Sequence, residues 1–106
     1  MTDAPAPVQR MVEATNAADS DAFVACFAPD AYLEDWGRGF HGREGVAAWD
    51  RTDNIGVHMH FEVDAARRDG DDWVVTLVST GGGYNGTSEI RFRLDGDLIA
   101  RMIIAG

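Results

Sequence analysis

The sequence predicts an α+β domain: a cone-shaped, curved antiparallel sheet wrapped around three helices drawn from the N-terminal half. Three observations carry this. The chain has 106 residues, enough for one hydrophobic core and no second. Apolar residues in the first half recur at helical spacing, whereas from Val57 onward they alternate with polar ones. Asp69-Gly70 and Asp95-Gly96 are turn signals that divide the second half into hairpins. A curved sheet closing over helices leaves a conical cavity, and with it a pocket.

The elements follow in order. Residues 1–6 read as a frayed tail ahead of a single domain spanning 1–106. Pro7 suits the first turn of a helix, where its missing N–H costs nothing. Val8, Met11, Val12 and Thr15 then mark one face of that helix, which ends near Ala18. Asp19, Ser20 and Asp21 offer an N-cap for a short second helix carrying Phe23, Val24 and Phe27 and stopped by Pro29. Ala31, Leu33 and Asp35 alternate with Tyr32, Glu34 and Trp36 as an early strand. Gly37, Gly39 and Gly42 mark a loop, and a third helix from about Arg43 to Arg51 packs through Val46, Ala47 and Trp49. Thr52 to Gly56 is a break.

Four antiparallel strands complete the chain. The first sets an apolar stripe, Val57, Met59, Phe61, Val63 and Ala65, against a polar row, His58, His60, Glu62 and Asp64. Trp73 to Thr80 has both faces partly apolar, and 81–86 is a flexible glycine-rich connection. Ser88, Ile90, Phe92 and Leu94 alternate with Thr87, Glu89, Arg91 and Arg93, and Leu98 to Ile104 is the last strand.

Composition excludes several functions. Eighteen acids against nine bases give a net charge of −9, which repels nucleic acid. All nine bases are arginine, so lysine Schiff-base chemistry and a P-loop lysine are excluded. Cys26 is the sole cysteine, so no intrachain disulfide or cysteine zinc cluster can form. Apolar runs are far shorter than the roughly 20 residues that span a bilayer, and no targeting segment is visible. A cytoplasmic protein without membrane partner is expected. Abundant alanine, arginine, aspartate and glycine without lysine points to a GC-rich bacterial genome.

Asp35 is the sharpest candidate for chemistry. It shares a strand face with Ala31 and Leu33, which turns it into the apolar interior, where desolvation favours a general base. The alternative is a strand-end aspartate that caps a loop N–H or pairs with Arg38 or Arg43. Trp36, Phe40, Trp49 and Tyr84 suit an aromatic pocket mouth, with His41 beside it; for Phe40 and Trp49 ordinary core packing is the alternative. Met11, Phe27, Met59, Phe61 and Ile90 read as inner wall, fitting a flat apolar ligand. His58 and His60 share a strand face with Glu62, and such a pair can hold a metal. That row alternates with the apolar stripe and so faces away from the cavity, and no metal or cofactor is assigned. Cys26 reads as a small buried hydrophobe.

Several stretches resemble the nuclear transport factor 2-like (cystatin-like) superfamily. They are Val8 to Met11 with Asn16 to Asp19, the run Phe27-Ala28-Pro29-Asp30-Ala31-Tyr32-Leu33-Glu34-Asp35, and the run Phe40-His41-Gly42-Arg43-Glu44-Gly45-Val46-Ala47-Ala48-Trp49. The likeness covers nearly the whole chain and is nearest to the SnoaL-like branch, which includes ketosteroid isomerase and polyketide cyclases. It implies a small-molecule pocket and cofactor-free proton transfer of the isomerase, cyclase or dehydratase type, or else a non-catalytic small-molecule-binding or association domain of the same fold. Asp35 stands where ketosteroid isomerase places its proton-shuttling carboxylate. Met11 stands where that pattern has an oxyanion-binding tyrosine, and the gapless match puts Ile90 at its protonated acid, with Glu89 adjacent. Little or no ketosteroid isomerase activity is therefore expected. The resemblance also implies a homodimer through the outer sheet face, read as His58, His60, Glu62, Thr76, Val78, Glu89, Arg91, Arg93, Ile99, Arg101 and Ile103. In it, Arg91, Arg93 and Arg101 would pair with Glu62 and Glu89 across the axis.

Overall fold

The computed structural model describes residues 4–105. Helix α1 (Ala6–Asn16), α2 (Ser20–Ala25) and α3 (Gly42–Asp53) pack on one side of a six-stranded sheet. Its strands are β1 (Phe27–Asp35), β2 (Arg38–His41), β3 (His60–Asp69), β4 (Asp72–Thr80), β5 (Gly86–Asp95) and β6 (Leu98–Ile104), in the spatial order β2-β1-β6-β5-β4-β3. The sheet is mixed rather than all antiparallel, because β1 lies parallel to β6. Parallel neighbours need a long crossover, and here everything from β2 to β5 supplies it.

Local chemistry explains most boundaries. Of the stretch expected to fray, 1–3 lie outside the described residues, while Ala4 is buried and Ala6 already opens α1. The Asp19 side chain accepts from the Ala22 N–H at 3.1 Å, as its position ahead of α2 predicts. Helix α2 is shorter than expected: Cys26 caps it, and Phe27 opens β1 instead of closing the helix. Pro29 does not stop a helix either. It sits in β1 where the pairing with β6 slips between Phe27 and Tyr32, so no ladder bond is asked of its missing N–H.

The expected loop after β1 is a hairpin to β2, through a two-residue turn in which Trp36 (φ 50°) and Gly37 (φ 83°) are both left-handed. That geometry matches the twist of paired strands, but it is strained for tryptophan. The first long strand starts later than expected. Ile55–Val57 is a short 3-10 helix and His58 is left-handed (φ 57°), so His58 and Met59 precede β3, and His58 shares no strand face with His60. The 81–86 connection is tied down: Gly82 N–H donates to the Val57 carbonyl at 2.8 Å, and the Asn85 side chain clasps Gly81. A Cβ at Gly81 would lie 2.5 Å from the His58 carbonyl oxygen, so this close approach requires glycine.

Two bulges re-aim side chains. A slip between Val63 and Ala65 sets Ala65 beside Thr76, off the apolar stripe. A second slip pairs Leu94 with Ile99 but Arg93 with Arg101, and it carries Ile99 into the core, fully buried, rather than onto the outer face. At the closed end of the cone Phe23 lies 5.3 Å from Phe27 and 6.0 Å from Trp49 between ring centroids, with Met11, Leu33 and Phe92 packed into the same core. Cys26 lies at its edge, where burial pushes its thiol up and the thiol donates to the Ala22 carbonyl.

Candidate functional site

The other end of the inner face is not filled. A cavity of about 120 Å3 opens there, walled by Trp49, Phe61, Ile90, Met102 and Ile104, with Asp35, Thr52, Asp53, Ser79 and Ser88 as its polar groups and Trp36, Gly83 and Tyr84 as further lining. Trp36 is 65% exposed and Tyr84 53%, which places both at the mouth.

Asp35 reaches the cavity because it ends the inward row of β1, beside Ile104 of β6. Its side chain is only 14% exposed. Trp49 Nε1 donates to Asp35 Oδ2 at 2.9 Å and an Arg38 N–H donates to the same oxygen at 2.7 Å. No hydrogen bond among the described residues falls on Oδ1. Arg38 also reaches Asp53 at 3.1 Å, and Thr52 Oγ1 donates to Asp53 Oδ2 at 2.7 Å. The hydrogen bond to Asp53, with the charge of both carboxylates, raises Arg38 above the ordinary arginine value. The result is two carboxylates on one guanidinium, beside an apolar space. Arg43, the other partner considered for Asp35, instead donates to the Phe27 carbonyl.

Six of the residues singled out from the sequence meet at this cavity: Asp35, Trp36, Trp49, Phe61, Tyr84 and Ile90. Five do not. Met11, Phe27 and Met59 are spent in the packed core. Phe40 stacks beneath the Arg38 guanidinium, 5.6 Å from ring centroid to Cζ. His41 lies over the Tyr32 ring at 4.9 Å, in a separate surface groove with Asp30, Asp95 and Arg101. Asp53, Thr52, Ser79 and Ser88 are the polar members the sequence reading did not assign. Asp53 and Thr52 follow Trp49 by four and three residues, so carrying the helix one turn further would have found them. Ser79 continues the inward row Trp73, Val75, Leu77, where a lone hydroxyl in an apolar stripe is the available signal. Among the described residues no cluster of histidine, cysteine and acidic side chains could hold a metal ion.

Residues 8–102 match the family of SnoaL-like domains. The chain belongs to that family, within the nuclear transport factor 2-like superfamily. No curated protein matches this SnoaL-like domain. Among solved structures, one from Sinorhizobium meliloti, named provisionally as a polyketide cyclase, is 28% identical over 96% of this chain and 95% of its own, with a TM-score of 0.82. Delta 5-3-ketosteroid isomerase from Mycobacterium sp. is 19% identical over 95% of this chain and 90% of its own, with a TM-score of 0.81. A Mycobacterium tuberculosis protein in complex with estradiol-17β-hemisuccinate is 22% identical over 96% and 93%, with a TM-score of 0.77. At these last two identities the likeness establishes the fold alone.

Proposed function

We propose that the cavity of this SnoaL-like domain binds a small carbonyl-bearing metabolite and that Asp35 moves a proton on it without a cofactor. The observation that carries this is a nearly buried carboxylate at the edge of an apolar cavity, pinned through Oδ2 with Oδ1 left unbonded. Trp49 and Arg38 hold the carboxylate in one orientation, as a base needs. Oδ1 takes a proton from the carbon next to the carbonyl. The C–H electron pair moves into the carbon framework as an enolate, and the proton returns from Asp35 to another carbon, completing an isomerisation.

A second reading, binding without chemistry, is favoured by one feature. Arg38 holds the Asp35 carboxylate in a 2.7 Å ion pair, the structural pairing of a strand-end aspartate. Cyclohexanone in heavy water separates the two readings. Wild-type protein should accelerate exchange of its α-hydrogens, read by NMR, and Asp35→Asn should lower that acceleration by about 10²-fold or more. Saturable binding with no acceleration would establish the binding-only reading.

The proposal extends to a homodimer through the outer sheet face. That face still presents His60, Glu62, Thr76, Val78, Glu89, Arg91, Arg93, Arg101 and Ile103, without Ile99 and His58. Its ionic part differs from the expectation, because Arg91 and Arg93 are already paired within the chain to Asp69 and Asp72. Sedimentation at micromolar concentration should give twice 11.5 kDa, and a monomer would contradict it.

A further inference from the structure

We infer that the ligand is a compact carbonyl compound of about one ring, and that the hydroxyls of Ser79 and Ser88, diagonal neighbours on the inner face of β4 and β5, receive its oxygen. The inference rests on the reading of the cavity as a ligand site and adds both the ligand's size and the group that orients it.

Ser79 is 5% exposed and lines the cavity, yet its hydroxyl makes no hydrogen bond among the described residues. A hydroxyl removed from water without a partner is costly, and natural interiors rarely leave one so. This hydroxyl is not sealed in protein: among the described residues the one fully enclosed side-chain polar atom lacking a partner is Asn54 Oδ1, in a different part of the core. The open side of Ser79 is therefore the cavity. Ser88 is half-buried, lines the same cavity and makes no side-chain hydrogen bond among the described residues either. Ser79 pairs with Gly86 and Leu77 with Ser88, so the two serines sit diagonally on one face, close enough to serve one ligand.

The arrangement has a direction. Asp35 stands on β1, the serines on β5 and β4, and Met102, Ile104 and Ile90 form the apolar floor between them. A carbonyl oxygen at the serines would point its α-carbon side toward the acid. Charge that builds on the oxygen as the proton leaves carbon would meet two O–H donors, the service an oxyanion-binding group performs. Met11 cannot supply it, being an apolar side chain fully buried in the core. The volume sets the size: about 120 Å3 is comparable to the roughly 150 Å3 cavity that accepts benzene, so the enclosed part matches about one ring, and anything larger would extend through the mouth at Trp36 and Tyr84.

The test compares cyclohexanone with methylenecyclohexane, which replaces the oxygen by a CH2 of similar shape. Binding is read from the fluorescence of Trp36 and Trp49 at the cavity. Relative to wild type, Ser79→Ala should lose about tenfold of the preference for the ketone over the hydrocarbon, and Ser88→Ala a similar or smaller share. Unchanged hydrocarbon affinity in both variants shows that the cavity is intact. Equal preference in wild type and both variants would overturn the serine assignment while leaving the cavity reading standing. Failure of wild type to bind either probe would overturn the cavity reading and this inference with it. A 5-ene-3-ketosteroid that binds more tightly than cyclohexanone would overturn the size limit.

Discussion

Two acid–arginine clusters in this domain are built in different proportions. At the cavity, two carboxylates share one guanidinium: Arg38 reaches both Asp35 and Asp53. On the outer face, two guanidiniums share one carboxylate: Arg91 and Arg93 both reach Asp72, at 3.2 and 2.7 Å, and Arg91 also takes Asp69. The outer cluster, two arginines to two aspartates, saturates Asp72. The hydrogen bond from Arg93, joined by that from Arg91, holds the Asp72 carboxyl below the usual carboxylate range against the opposing effect of burial. The acid-rich cluster leaves carboxylate oxygen to spare, and it does so beside an apolar cavity. Charge ratio and surroundings, more than residue type, separate an aspartate that fastens strands from one that borders a cavity with an oxygen left unbonded.

Substitutions at each cluster break the comparison at a different point. The largest effect belongs to Trp49→Phe, which keeps the ring against Phe23 but removes the donor to Asp35 Oδ2. A hydrogen bond to a charged group contributes about 1.5–3 kcal/mol, so urea unfolding should show a loss in that range, and α-hydrogen exchange should slow as Asp35 loses its orientation. Unchanged exchange would mean that Arg38 alone positions the acid.

Asp72→Asn should cost less, of order 1 kcal/mol at pH 7, as for a networked surface pair. Its pH dependence distinguishes it. A carboxyl held low in the folded state stabilises the protein above its unfolded value of about 3.9, and that contribution is lost as pH falls through the folded value. Wild type should therefore lose stability faster than Asp72→Asn below about pH 4, and the two should converge in acid; a constant gap would contradict the pairing. The smallest effect belongs to Arg101→Gln. Arg101 stacks over Tyr32 at 5.5 Å without an ion pair among the described residues, and its removal should leave the melting temperature nearly unchanged, while any dimer through this face weakens.

The sequence made Asp35 legible because nothing interrupts the alternation from Ala31 to Asp35, and the inward side of that row is apolar. Where a register slip intervenes, alternation misleads. Counting in twos puts Ile99 on the outer face and Ala65 on the apolar stripe, and one bulge in each strand reverses them. The β1–β2 hairpin escaped because its turn is Trp-Gly rather than Asn-Gly or Asp-Gly, and tryptophan gives no local sign of a left-handed backbone. His58 leaves the polar row of β3 for a related reason, since a left-handed residue there delays the strand. The cavity's size and its serines depend on which side chains fail to meet across five strands and a helix, a property of packing that no single segment carries.

The parallel union of β1 with β6 also orders events in time. Asp35 lies opposite Ile104, and Trp36 N–H donates to the Ile104 carbonyl at 2.9 Å, so the first strand of the chain finishes the site only against the last. The antiparallel run from β3 to β6 joins neighbours through short turns and can form early, whereas β1 must wait across nearly seventy residues of chain. On the ribosome, the proton-transfer machinery proposed for this domain would therefore not exist until β6 had emerged.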